Sequence, residues 1–270
     1  MDDPSFTALH HLATSAEWRP DRYYPYSLLT ELLESWVADY PGLATLASIG
    51  TSAEGRAIWA VTVTNQATGP DHEKPAYYID ANIHAAEVMT SSVALATIHY
   101  LLTHYDRDPA VRRLLDETAL YVIPRIAVDG SEQFLTTSAA VRSSETPFPA
   151  DMPDSSYDGL APQGIDRDGL IGAMRVKDPA GPWKISERDD RIMRPRGPGE
   201  YGGEYYFVLP EGLIRNWDGG KIALAPPRSA LDFNRNFPAD WKPHWDQTGS
   251  GPFPLSEPET RAVADFLRAH

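Results

Sequence analysis

A chain of 270 residues with 24 Lys and Arg against 38 Asp and Glu carries a formal charge of −14. It is long enough to bury a sizeable core, and its acidity argues against a nucleic-acid partner held by general electrostatics. It has no cysteine, which excludes disulfides, thiolate metal sites and a cysteine nucleophile together and leaves His, Asp and Glu as metal ligands. The opening MDDPSFTALHH lacks a basic segment before an apolar run, and no stretch approaches the roughly 18 apolar residues of a membrane helix. A cytoplasmic protein without membrane association is therefore expected, with secretion left open if the N-terminus was processed.

Leu28, Leu29, Leu32, Leu33, Trp36 and Val37 recur at helical spacing and predict a helix within Tyr23–Tyr40, stopped by Pro41-Gly42. Ala57–Thr64 alternates and is β-rich, and Ala76–Ile83 predicts a second strand. The Gly-Pro-containing stretch Gln66–Lys74 suits a hairpin-like loop between them. Helical pattern resumes over Glu87–Tyr105, with Val88, Ser91, Ala94, Leu95, Ile98, Leu101 and Leu102 on one side. A short helix over Pro109–Leu115 and a buried strand over Ala119–Pro124 follow. This order predicts an α/β fold: a mixed central β-sheet with helices on both faces.

From Ser143 to Leu231 the chain is rich in Pro, Gly, Asp and Arg, and within it only Gly203–Leu209 predicts a strand. The segment is too long for an ordinary loop and reads as a loop-rich insertion, or a lid, within one domain spanning residues 1–270. At the end, Ser256-Glu257-Pro258-Glu259 predicts a helix start with Ser256 as N-cap, followed by Val263, Phe266 and Leu267 as the apolar face.

Two clusters carry chemistry. His84 and Glu87, three residues apart at a strand-to-helix junction, can converge on one cation while the carboxylate sits near a helix N-terminus. Alone, the pair is equally a polar loop histidine beside a helix-starting glutamate. Asn234 and Arg235, on a loop after a short apolar strand, offer a planar amide and a guanidinium suited to a carboxylate. Between the clusters lie Val128-Asp129-Gly130, read as a turn, and Arg142 at the edge of the insertion.

Together these residues resemble the zinc metallocarboxypeptidases, the carboxypeptidase A-like peptidases. Pro41-Gly42-Leu43 with Ile49–Arg56 (IGTSAEGR) is similar to the family's YPxL and IGxSxEGR text. Ile83–Glu87 matches its HxxE, Val128–Gly130 its NPDG with two positions changed, Asp232–Phe237 its DxNRNF and Ser256–Leu267 its SEPE helix. Gly164–Ile171 and Met174–Pro179 resemble the extended loop of a bacterial branch, where Asp166 and Asp168 suit either a calcium site or a plain Asp-Gly turn. The resemblance implies one zinc ion held by His84 and Glu87, with Asp232 orienting the His84 ring. It further implies Arg142 as the catalytic group on the scissile carbonyl, and Asn234 and Arg235 on the terminal carboxylate of a peptide substrate. The family's third zinc ligand, a histidine after the SEPE helix, and its later tyrosine and glutamate base have no counterpart up to His270. The expectation is therefore the N-terminal part of a catalytic domain, impaired as it stands. Two further readings stay open: an amide hydrolase of cell-wall peptides or acylated amino acids, and a non-catalytic peptide-binding module.

Overall fold

Alternation along β2 (Ala57–Val63) makes two apolar surfaces out of one strand: Trp59, Val61 and Val63 face one core, Ile58 and Ala60 another. In the computed structural model, which describes residues 11–136, 141–144, 146, 158–165, 171–225 and 231–270, this strand lies inside a four-stranded sheet. β1 (Ala44–Thr51) and β4 (Ala119–Ile123) flank it, both antiparallel, and β3 (Ala76–Asp80) pairs parallel with β4 at the edge. β4 repeats the two-sided pattern, Leu120 and Val122 on the first side and Ile123 on the second.

The first core is covered by α1 (Tyr26–Asp39), α2 (Val88–His104) and α3 (Pro109–Glu117), through Leu29, Leu33, Leu95, Ile98 and Leu115 among others. The second is covered by α4 (Val128–Thr136), α5 (Phe233–Asn236) and α6 (Pro258–Ala269), through Val128, Phe233, Ala262 and Val263. The expected mixed sheet with helices on both faces is thus present. The side of α2 picked out by its spacing is the buried one, residue for residue.

Four local expectations are corrected. The Gln66–Lys74 connection is not a hairpin, because β4 intervenes between β2 and β3. It contains two single-turn 3₁₀ segments and is closed by Lys74, whose Nζ donates to Asn65 O at 2.7 Å and to Thr64 and Thr68 Oγ1 at 2.9 and 2.8 Å. Val128-Asp129-Gly130 is the first turn of α4. Ser256 is not the cap of α6: that position belongs to Glu257, and the Ser256 hydroxyl is spent on Asn236 Nδ2 at 2.9 Å and Glu257 Oε1 at 3.1 Å. The Pro/Gly-rich segment holds more strands than the one expected.

Those strands belong to a second compact unit, Met152–Pro227, the first being Met1–Asp151 with Arg228–His270. Within the second unit β5 (Gly159–Pro162) pairs antiparallel with β10 (Gly212–Arg215). A separate antiparallel sheet runs β6 (Ala173–Lys177), β9 (Tyr206–Pro210), β7 (Trp183–Ile185), β8 (Met193–Pro195). Arg196, 3.9 Å above the Tyr205 ring, adds a cation–π contact.

Glu259, in the first turn of α6, is 1% exposed and its Oε2 has no hydrogen-bond partner among the described residues. Burial drives its carboxyl up to about 7 from 4.5, with the charges of Asp129 and Glu257 adding to the rise and backbone N–H groups of Glu259 and Ala53 opposing it. A carboxyl raised in the folded state contributes fully below its unfolded value and loses that contribution as pH climbs toward the folded one. Glu259→Gln is therefore expected to leave stability unchanged at pH 4 and to raise it by up to about 3 kcal/mol at pH 8, read by urea denaturation at the two pH values.

Candidate active site

At the end of β3 the chain turns through Asn82, whose φ of 57° lies in the left-handed region that asparagine tolerates. Asn82 Nδ2 donates to His84 O at 2.7 Å, its N–H donates to Thr90 Oγ1 at 2.9 Å, and its carbonyl accepts the Ala127 N–H at 2.9 Å. The buried Asn82 Oδ1 has no hydrogen-bond partner among the described residues. The turn delivers His84 to the N-terminal end of α2, where Glu87 occupies the cap position without a side-chain cap hydrogen bond.

His84 Nδ1 lies 2.9 Å from Glu87 Oε1, and Nε2 lies 3.2 Å from Asp232 Oδ1. Asp232 caps α5 by accepting the Asn234 N–H on the same Oδ1 at 2.9 Å, while its Oδ2 accepts Arg142 Nε at 3.0 Å. Burial works to raise the Asp232 carboxyl. The Arg142 hydrogen bond and charge, with His84, outweigh it and hold the group below the ordinary aspartate value. The ring therefore stands between two carboxylates, Glu87 at Nδ1 and Asp232 at Nε2. An imidazole nitrogen and a carboxylate oxygen aimed at one another form a pair that suits a borderline cation such as zinc.

The ring of His84 is buried, whereas the side chains of Glu87 and Arg142 are each 48% exposed, so one edge of the cluster is open. Arg142 is held by Nε alone, and its terminal nitrogens have no partner among the described residues. Asn234 and Arg235 lie exposed on α5 beside Asp232, and Arg235 Nη1 rests on the Asn234 carbonyl at 3.0 Å. The structure thus joins Glu87, His84, Asp232 and Arg142 in one bonded chain and sets Asn234 and Arg235 next to it. Among the described residues no group of three or more His, Asp or Glu side chains converges to hold a metal. Asp166 and Asp168 lie outside the described residues.

Other motif residues act as scaffold. Asp129 accepts Ser52 Oγ and Arg56 Nη1, each at 2.7 Å, and the Glu54 N–H at 2.9 Å, which ties the SAEGR turn to α4. Asn236 gives Nδ2 to Ser250 O at 2.7 Å and accepts Thr260 Oγ1 at 2.6 Å on Oδ1, joining α5 to α6. Glu257 Oε2 accepts Thr146 Oγ1 at 2.7 Å. Ser143, at 0% exposure, bonds two loops of the site at once, and neither spacing nor composition singles it out as more than the start of a Pro/Gly-rich segment.

Gly130 shows how tight this scaffold is. A Cβ there would stand 2.2 Å from Ser143 O and 3.0 Å from Ala85 Cβ. Glycine to alanine inside a helix ordinarily stabilises by about 1 kcal/mol. At this position the sign is expected to reverse, Gly130→Ala destabilising by about 2 kcal/mol or more, as measured by thermal and urea unfolding.

The chain belongs to the zinc carboxypeptidase family, whose model matches residues 29–167 and 212–270. It is 33% identical to carboxypeptidase D of the duck Anas platyrhynchos over 121 residues, 45% of this chain and 9% of that one. It is 31% identical to rat carboxypeptidase A2 over 126 residues, 47% of this chain and 29% of the relative. The crystal structure of carboxypeptidase A from Helicoverpa armigera shares the fold, with a TM-score of 0.58 at 16% identity over 98% of this chain and 47% of that one. The matched region thus spans less than half the length of each of these relatives. Among the described residues no helix is long and apolar enough to cross a membrane.

Proposed function

We propose that this chain carries the zinc-holding and substrate-anchoring part of a metallocarboxypeptidase that acts on peptides with a free C-terminal carboxylate. The observation that supports this most directly is the His84 ring, placed between Glu87 on one nitrogen and Asp232 on the other, in a chain of the zinc carboxypeptidase family. In this reading, residues 1–270 form one catalytic-domain segment and 143–231 an insertion within it.

His84 Nδ1 and the Glu87 carboxylate would hold one zinc ion, and Asp232 orients the ring. Zinc, when bound, supplies a Lewis acid that polarises a carbonyl oxygen and acidifies water. The two terminal nitrogens of Arg142, without a partner among the described residues, are suited to steadying negative charge on the scissile carbonyl oxygen. Asn234 and Arg235 present an amide and a guanidinium that can take both oxygens of a terminal carboxylate, which is how a chain end is told from an internal peptide bond. Two protein ligands bind zinc weakly, so full activity in this reading calls on a further ligand and a proton acceptor in addition to these residues.

Zinc titration of the 270-residue protein by equilibrium dialysis is expected to show one weak site, with affinity reduced at least tenfold in His84→Ala and in Glu87→Gln. Binding of a peptide with a free C-terminus is expected to exceed that of its C-terminal amide and to fall about 10- to 100-fold in Arg235→Met. Absence of zinc binding with equal binding of acid and amide would overturn the proposal. A preference for acylated single amino acids or D-residue peptides would favour the amide hydrolase instead. Acid-selective binding that zinc does not influence would favour a peptide-binding module.

A further inference from the structure

We infer that Ser143 is a positioning residue for the zinc pair, setting the His84 ring and its orienting carboxylate against one common reference; the inference rests on the zinc reading above. The hydroxyl of Ser143 donates to the Ile83 carbonyl at 2.8 Å and accepts the Phe233 N–H at 3.2 Å. Immediately before it, the Arg142 carbonyl accepts the Ala85 N–H at 2.7 Å. His84 is therefore bracketed on both sides, at Ile83 and Ala85, by bonds to residues 142 and 143. Asp232, the partner of its ring, adjoins Phe233, which is held by the same hydroxyl. The Ser143 carbonyl in turn packs on the Cα of Gly130, where a side chain would not fit.

Three segments far apart in sequence, 83–85, 130 and 232–233, thus meet on one serine that is 0% exposed. Nothing in this arrangement needs Ser143 to touch zinc or substrate. What it controls is the alignment of His84 Nε2 with Asp232 Oδ1, a bond already near the long end of the normal range at 3.2 Å. Metal sites of this kind tolerate about half an ångström of misplacement, and loss of an outer partner typically costs 10- to 100-fold in metal affinity. Replacing the hydroxyl by a methyl would leave the Ile83 carbonyl and Phe233 N–H without partners in a buried place and free the two loops to separate.

The test compares Ser143→Ala with Ser143→Thr, which keeps the hydroxyl, and with Thr64→Val. The last removes another buried hydroxyl, which bonds Thr118 O at 2.8 Å outside the site. Each protein is measured by urea unfolding, by zinc titration and, without metal, by the imidazole nitrogen resonances of His84. Ser143→Ala is expected to lower zinc affinity about 10- to 100-fold and to move the metal-free His84 ring resonances away from their wild-type positions. Ser143→Thr is expected to restore both, and Thr64→Val to change neither while losing comparable stability. If Ser143→Ala does not fold, Ser143→Cys, with its weak S–H donor, should show the same changes to a smaller degree. Wild-type ring resonances and zinc affinity in Ser143→Ala, or equal losses in Thr64→Val, would overturn the inference. Wild-type protein that binds no zinc would count against the function proposed above, and the metal-free ring resonances would still decide the role of Ser143.

Discussion

The carboxylate of Asp232 is the interaction on which the site depends, because its two oxygens serve three masters from unrelated parts of the chain. One oxygen caps α5 and meets the His84 ring; the other holds Arg142. The Arg142 hydrogen bond and charge, with a smaller contribution from His84, overcome a burial that alone would favour the acid. Electrostatics and geometry point the same way here. The charge that orients His84 is itself fixed in place by capping a helix, so the ring inherits the rigidity of backbone structure and not the mobility of a loop.

Around this carboxylate the remaining motifs are joined by further buried polar groups that are nearly all satisfied. Asp129 ties the SAEGR turn to α4, Asn236 ties α5 to the start of α6, and Glu257 reaches Thr146 close to the Arg142-Ser143 pair. Each would be costly if left unpaired in a core, so each bond fixes the distance between two segments that hydrophobic packing leaves free to slide. Apolar contact sets the two faces of the sheet. Polar bonds at the ends of β3 and β4 then set the register of the loops that hold the site. Glu259 is one exception: its Oε2 has no partner among the described residues, and burial raises its carboxyl to about 7.

How much of this could be read beforehand varies with the length over which a pattern repeats. The buried side of α2 was legible in full, because seventeen residues give several turns of helical spacing. β2 and β4 were legible because apolar side chains line both faces. β1 was not: Ala44–Thr51 is small and polar, and it becomes a strand by pairing with β2. Strands of three to five residues in the second unit are too short for any period to emerge among prolines and glycines. At the site, His84 with Glu87 and Asn234 with Arg235 are noticeable for their chemistry and spacing, although each pair alone also reads as ordinary loop residues, and Asp232 gains its role only from the resemblance. Ser143 and Gly130 do not stand out, since their roles arise only where distant segments meet. A hydroxyl between two backbone groups and a glycine under a carbonyl leave no periodic trace.

The Arg142–Asp232 pair is also unequal in a way that bears on the proposed chemistry. Asp232 is largely buried and keeps two other bonds, whereas the Arg142 side chain is 48% exposed and bound through a single nitrogen. The exposed end of the guanidinium is the side from which an incoming carbonyl oxygen can compete for it. When Arg142 shifts, Asp232 remains anchored by the α5 cap and by His84, so the ring keeps its orientation.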